Sequence, residues 1–244
     1  MVPGFFAAAT YPVRGLLHLL RTPRLWKLAL LPFLVNLVLY TLIAAFLFWF
    51  VSEKLLGDWL SGWPSWARWI AGIVAVLSAL ALMAFSFTIL GNIVASPLLD
   101  FLAERALADL RGRPLPEGGP WYVEAVRSVG RQILKLVLFG GIQLVLLLVL
   151  LIPVVGVVHP VLSAVVTIFF LALEYLEYPL AADRVPFCGR FGYLFRHFRT
   201  AFGLGGSLFV IVLIPIVGYF ALPACVVGAT LLYRDLELRE GEGP

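Results

Sequence analysis

The chain has 244 residues, 62% hydrophobic and only 13% charged, with a formal net charge of +4. Its mean hydropathy is +1.01. An average soluble domain carries about 25% charged residues, so this composition excludes a conventional water-soluble globule and points to an integral membrane protein.

The first apolar run, Leu28–Val51, carries no charge, and neither does the second, Ile70–Ala95. A bilayer core of about 30 Å needs about 20 helical residues, so both are expected to span. The first is too long for the apolar part of a signal peptide, and no small-residue cleavage site follows it. It is read as a retained helix. The loop between the runs carries Trp59, Trp63, Trp66 and Trp69 at helical spacing. This predicts a short helix lying in the outer interface, where such rings sit at headgroup level.

The segment 96–135 is expected in the cytoplasm. Over Pro97–Arg111, Leu98, Leu99, Leu102, Ala106 and Leu110 alternate with Asp100, Glu104, Arg105 and Asp109, the pattern of an amphipathic helix. A Pro/Gly-rich stretch at 111–120 then reads as a loop.

Two apolar hairpins follow, about 136–173 and 204–232. In the first, Leu136–Ile152 and Val154–Leu173 are split by Pro153 and Gly156 in "LIPVVG". In the second, Leu204–Ile214 and Ile216–Leu232 are split by Pro215 and Gly218 in "LIPIVG", with a further break at Pro223. Proline removes a donor and clashes with the preceding turn. Glycine admits the positive φ of a tight reversal. The first arm of the second hairpin is short, which favours a re-entrant segment over a spanning one. An ordinary hairpin loop at the far surface is the alternative. The whole chain is thus read as one helical membrane domain, 1–244.

Of the 18 Lys and Arg, all but Lys54 and Arg68 lie in the two termini, in 96–135 or in 174–200. The positive-inside rule then puts both termini and those two segments in the cytoplasm and turns 52–69 and both hexapeptides outward.

Signs of catalysis are absent from the sequence. His18, His159 and His197 are scattered, Cys188 and Cys225 sit in unlike contexts, and there is no metal, nucleotide or nucleophile motif. No enzyme activity, no cofactor and no nucleic-acid partner is expected. Glu174 and Glu177, one helical turn apart, are expected to pair with Arg184 or Arg190 at the interface. Asn36, Ser86, Thr88, Asn92, Gln143, Ser163 and Thr167 are polar residues inside the apolar runs. They serve either as interhelical glue or as the lining of a polar path, Asn36 and Asn92 being the path candidates beside a helix-breaking Pro or Gly. In "RTPRLWKL" at 21–28, Thr22 and Pro23 are N-cap and N1 types. A helix N-terminus ringed by Arg21, Arg24 and Lys27 fits an anion site, and equally an anchor on lipid phosphate.

Four blocks, "LLPFLVN" at 30–36, "NIVASPLLDFLAE" at 92–104, "EYLEYPL" at 174–180 and "LIPIVGYFALPACVVGATLL" at 213–232, resemble the CysZ sulfate-permease family, grouped with etoposide-induced-protein homologues. The resemblance runs from about residue 5 to 235. It implies an all-α inner-membrane protein of bacteria with two long transmembrane helices and two partly penetrating hairpins. It also implies homo-oligomers and sulfate uptake feeding cysteine synthesis. Those permeases hold sulfate with a Gly-Leu-Arg motif before the first long helix. The aligned stretch here is Arg24-Leu25-Trp26-Lys27, with Arg24 at the Gly position, Leu25 kept, Trp26 at the Arg position and a cation following at Lys27. The resemblance thus implies an anion site of Arg21, Arg24, Leu25 and Lys27. The competing class is a membrane scaffold or regulator that docks partners on 96–135.

Overall fold

The computed structural model describes residues 3–112, 120–150 and 158–241, and every regular element among them is a helix. In chain order these are α1 (Phe5–Ala9), α2 (Tyr11–Arg21), α3 (Pro23–Trp49), a π-helical stretch (Phe50–Trp59), α4 (Ser65–Arg111), α5 (Trp121–Val149), α6 (His159–Ala182), α7 (Phe187–Arg196), α8 (Phe198–Val212) and α9 (Pro215–Gly241). Among the described residues, five helical segments are long and apolar enough to cross a membrane: Pro23–Leu55, Ser65–Met83, Tyr122–Leu148, His159–Ala182 and Val217–Glu240. The expected all-helical membrane class is therefore present. "LIPVVG", with Pro153 and Gly156, lies outside the described residues.

The described chain forms two compact units. One is Leu30–Ser96, holding most of α3, the π-helical stretch and the first part of α4. Leu34, Leu37, Leu42 and Phe46 on α3 and Ile73, Val74, Leu77 and Leu80 on α4 are exposed. Such apolar surfaces suit hydrocarbon, where a helix already satisfies its own backbone. The expected interfacial Trp helix does not form. The α3 ladder instead widens into the π-helical stretch, and Leu60 N–H closes it on Leu55 C=O at 3.0 Å. A turn then leads straight into α4. All four Trp rings are exposed around that turn, and Lys54 pairs with Asp58 one helical turn on, at 3.0 Å.

The other unit is Met1–Ala29 with Pro97–Pro244. Within it α9 packs on α2, α6 and α8, α1 packs on α8, and α6 packs on α5 and α7. Its core holds Leu173, Leu176 and Leu180 of α6, Leu204 and Leu208 of α8, and Val226, Leu232 and Leu236 of α9. Two close crossings, α2 on α9 and α8 on α6, depend on glycine. A Cβ on Gly15 would collide with Ala224 C=O and Gly228 N, one on Gly228 with Tyr11 C=O, and one on Gly205 with Ile168 C=O. Lipid tails are as apolar as leucine, so membrane helices associate through such close contact rather than through exclusion of water.

The amphipathic pattern of 97–111 forms the last turns of α4, which runs on through Pro97 instead of starting a separate helix. Leu99, Leu102, Ala103, Ala106 and Leu107 are buried there. Helix α5 begins at Trp121, well before the expected arm at 136, because the polar residues Arg127, Arg131 and Lys135 are helical too. In the second hairpin, Pro215 opens α9, the position where its missing N–H costs least. Gly218 is not a positive-φ turn residue. It lies inside α9, where a Cβ would approach Val212 Cα to 3.2 Å, so its role is close approach of the two arms. Pro223 does not break α9 either, which continues through it. Helix α8 has 15 residues, about 22 Å at 1.5 Å per residue.

Candidate functional site

Helices α2 and α3 meet at Thr22, whose backbone (φ −120°, ψ 83°) leaves the helical region. Pro23 then starts α3, as its residue type predicts. The corner is held from both sides. Trp26 Nε1 donates to Leu19 C=O at 2.8 Å, Thr22 N–H to the same carbonyl at 3.2 Å, and Leu25 N–H to Thr22 C=O at 3.0 Å. The Leu25 side chain is 0% exposed. Leu25 is therefore the anchor of the corner, and Trp26 closes the carbonyl end of α2.

Arg21, Arg24 and Lys27 are all exposed at this corner. Among the described residues none of the three forms an ion pair, whereas Arg111, Arg131, Lys135 and Arg190 each meet a carboxylate. Three unpaired cations at the start of a helix make a local positive field, which the N-terminal dipole of α3 reinforces.

A second charged cluster lies inside the larger unit. Glu177 of α6 is buried among three cations. Its Oε1 lies 2.7 Å from Arg190 Nη1 and 3.0 Å from Arg131 Nε. Its Oε2 lies 2.7 Å from Lys135 Nζ, off the hydrogen-bond direction. Arg131 also binds Asp100 Oδ2 at 2.9 Å. The expected pairing of Glu177 with Arg190 is present and buried, and it includes Arg131 and Lys135 of α5, which no sequence motif links to it. Their signal was the four-residue spacing of Arg127, Arg131 and Lys135, which places them on one helix face. Glu174 instead accepts from Gln132 Nε2 at 3.4 Å.

Three cations and two carboxylates leave this cluster one positive charge in excess. Burial pushes the Asp100 carboxyl above the ordinary carboxylate range, against the pull of Arg131. It also pulls the Arg190 guanidinium down, against the attraction of Glu177.

Asn36 is buried. The Asn92 side chain lies outside the described residues. Gln143, Ser163 and Thr167 do meet. Ser163 Oγ donates to Gln143 Oε1 at 2.9 Å, and Gln143 Nε2 donates to Thr167 Oγ1 at 3.1 Å. They tie α5 to α6, which is the interhelical role.

A family model described as sulfate transporter CysZ/etoposide-induced protein 2.4 matches residues 11–223. The chain is 31% identical over 228 residues to a protein of Pectobacterium atrosepticum named sulfate transporter CysZ, covering 89% of this chain and 81% of that one. It is 30% identical over 222 residues to the protein of the same name from Pseudomonas aeruginosa PAO1, covering 89% and 90%. The Vibrio cholerae protein of that name is 30% identical over 223 residues, covering 89% of each. The matched region takes in the α2–α3 corner and the Glu177 cluster, and the chain belongs to the sulfate transporter CysZ/etoposide-induced protein 2.4 family.

Proposed function

We propose that this protein passes sulfate, or a closely similar small oxyanion, across the inner membrane of a bacterium, and that it captures the anion at the α2–α3 corner. The observation that carries this reading is the set of exposed cations Arg21, Arg24 and Lys27 at the start of α3, none of which meets a carboxylate among the described residues. Sulfate has four oxygens and two negative charges, so charge-assisted bonds from several donors suit it. Leu25 fixes the corner, and Arg24 and Lys27 stand one turn apart on exposed positions. The excess positive charge around Glu177 supports passage of an anion through the larger unit.

In this reading the protein is a transporter and not an enzyme. The basic segments face the cytoplasm together with both termini. The short helix α8 and its partner α9 penetrate the membrane part-way, and the complete path forms in a homo-oligomer. The four residues from Arg24 to Lys27 replace the permeases' Gly-Leu-Arg by placing cations on either side of the buried Leu25.

Sulfate binding to the purified protein tests the capture site. Calorimetry on the wild type, Arg24→Gln and Lys27→Gln is expected to show weaker binding in each variant by about 1–3 kcal/mol, the scale of a hydrogen bond to a charged group. Binding is also expected to weaken as salt rises. Unchanged sulfate affinity with altered membrane insertion would make the corner a lipid anchor instead.

A further inference from the structure

A second cationic site stands at the corner between α7 and α8, on residues the transport reading does not use. His197 separates the two helices. Arg196, His197, Arg199 and Thr200 of this corner and Arg239 and Glu240 of α9 line a cavity of about 450 Å³. The α8 ladder opens with Ala201 N–H on His197 C=O at 2.9 Å. The amides of Phe198, Arg199 and Thr200 precede that bond and have no acceptor within the helix.

The charges are unbalanced. Glu240 Oε1 lies 3.4 Å from Arg196 Nη2 and 3.0 Å from His197 Nε2. The Arg196 side chain is 72% exposed, so its pair with Glu240 is weak. The buried His197 Nε2 faces Glu240 without hydrogen-bond geometry. Arg199 and Arg239 form no ion pair among the described residues. Three guanidinium groups therefore share one carboxylate, beside a helix N-terminus.

We propose that this cavity binds a phosphate group carried on an organic moiety, and that Glu240 is the counter-ion the phosphate displaces. Arginine forks match the oxygens of a phosphate, and free helix amides add donors to the same anion. The cavity is larger than a bare oxyanion needs. Part of its lining is apolar, with Phe198 exposed and Leu236 buried. That combination fits either an anionic phospholipid headgroup or a soluble phosphate ester.

The test uses the full-length protein carrying Arg24→Gln and Lys27→Gln, so that anion binding at the α3 corner is weakened. Inorganic phosphate is titrated by calorimetry. In parallel, phospholipid retention is read by native mass spectrometry from nanodiscs of phosphatidylglycerol or of phosphatidylcholine. Binding is compared with and without Arg199→Gln/Arg239→Gln. A loss of about tenfold or more is expected, the scale of one charge-assisted bond removed. Glu240→Gln is expected to tighten binding, and Arg199→Lys/Arg239→Lys to keep most of it. Phosphatidylglycerol retention that depends on the arginines, with no response to phosphate, identifies a headgroup site. Phosphate binding with the same dependence identifies a soluble-anion site. If Arg199→Gln/Arg239→Gln does not fold, the Glu240→Gln comparison decides alone. Equal behaviour of both probes with the starting protein and Glu240→Gln, or with Arg199→Gln/Arg239→Gln where it folds, overturns the proposal.

Discussion

Glu177 Oε1 and Arg190 Nη1 lie 2.7 Å apart, with both side chains almost wholly buried. Arg190 is steadied from its other side, where Nε donates to Val185 C=O at 2.9 Å. Glu177 is also the carboxylate that Arg131 and Lys135 share. Removing it leaves three cations with only Asp100 to offset them in a medium that screens them poorly. Removing one partner of a buried pair costs about 3–5 kcal/mol. Glu177→Gln is therefore expected to destabilise the protein on that scale, measured by thermal unfolding in detergent. Wild-type stability in that variant would mean that the cluster is hydrated and not a buried network.

The crossing of α2 and α9 gives a second expectation. A Cβ on Gly228 would overlap Tyr11 C=O, and a backbone carbonyl cannot swing away as a flexible side chain can. Gly228→Ala is expected to cost about 1–3 kcal/mol or more, the range for overpacking. Gly140→Ala, where nothing lies within reach of a Cβ, is the control and is expected to be neutral or slightly stabilising. Equal melting temperatures for the two variants would contradict the close crossing.

Asp100 sets a pH dependence whose sign follows from its raised carboxyl, caused first by burial and opposed by Arg131 and Ser128. A group whose folded-state pKa lies above the unfolded one stabilises the fold below the unfolded value, and that contribution is lost as pH rises through the folded value. The unfolded value for aspartate is about 3.9. The stability of wild type relative to Asp100→Asn should therefore fall as pH is raised from about 4. Melting temperatures of both proteins across pH 4–8 measure this, and a difference that grows with pH would reverse the assignment.

Topology can be read with the native thiols. Cys188 is exposed and Cys225 buried. With 174–200 in the cytoplasm, an impermeant thiol reagent added to intact cells should leave the wild type unlabelled and label Ser61→Cys. Labelling of Cys188 from outside would invert the proposed orientation.

What the sequence disclosed depended on the range of the interaction. The spanning segments were legible because a charge-free run longer than the bilayer is a property of consecutive residues. The role of Pro23 was legible because an N1 proline is decided locally. The network of Gln143, Ser163 and Thr167 followed from the general need of buried polar groups for partners. The three cations around Glu177 were only partly legible, because Arg131 and Lys135 reach it from another helix and spacing alone does not say which faces meet. Gly218 has a turn residue's identity but a packing residue's position, and only the distance to Val212 separates the two. The amphipathic helix α2 hid inside a basic flank. Its exposed Val13, Leu16, Leu17 and Leu20 recur at helical spacing, but the run is too short to stand out beside the long apolar helices.

Uptake of radiolabelled sulfate into proteoliposomes of the purified protein tests the central claim most directly. Wild type should accumulate sulfate above empty liposomes, and Arg24→Gln/Lys27→Gln, which removes two charges, should cut the initial rate at low sulfate by about tenfold or more. Sulfate entry no faster than into empty liposomes, from protein shown to be folded and reconstituted, would contradict it.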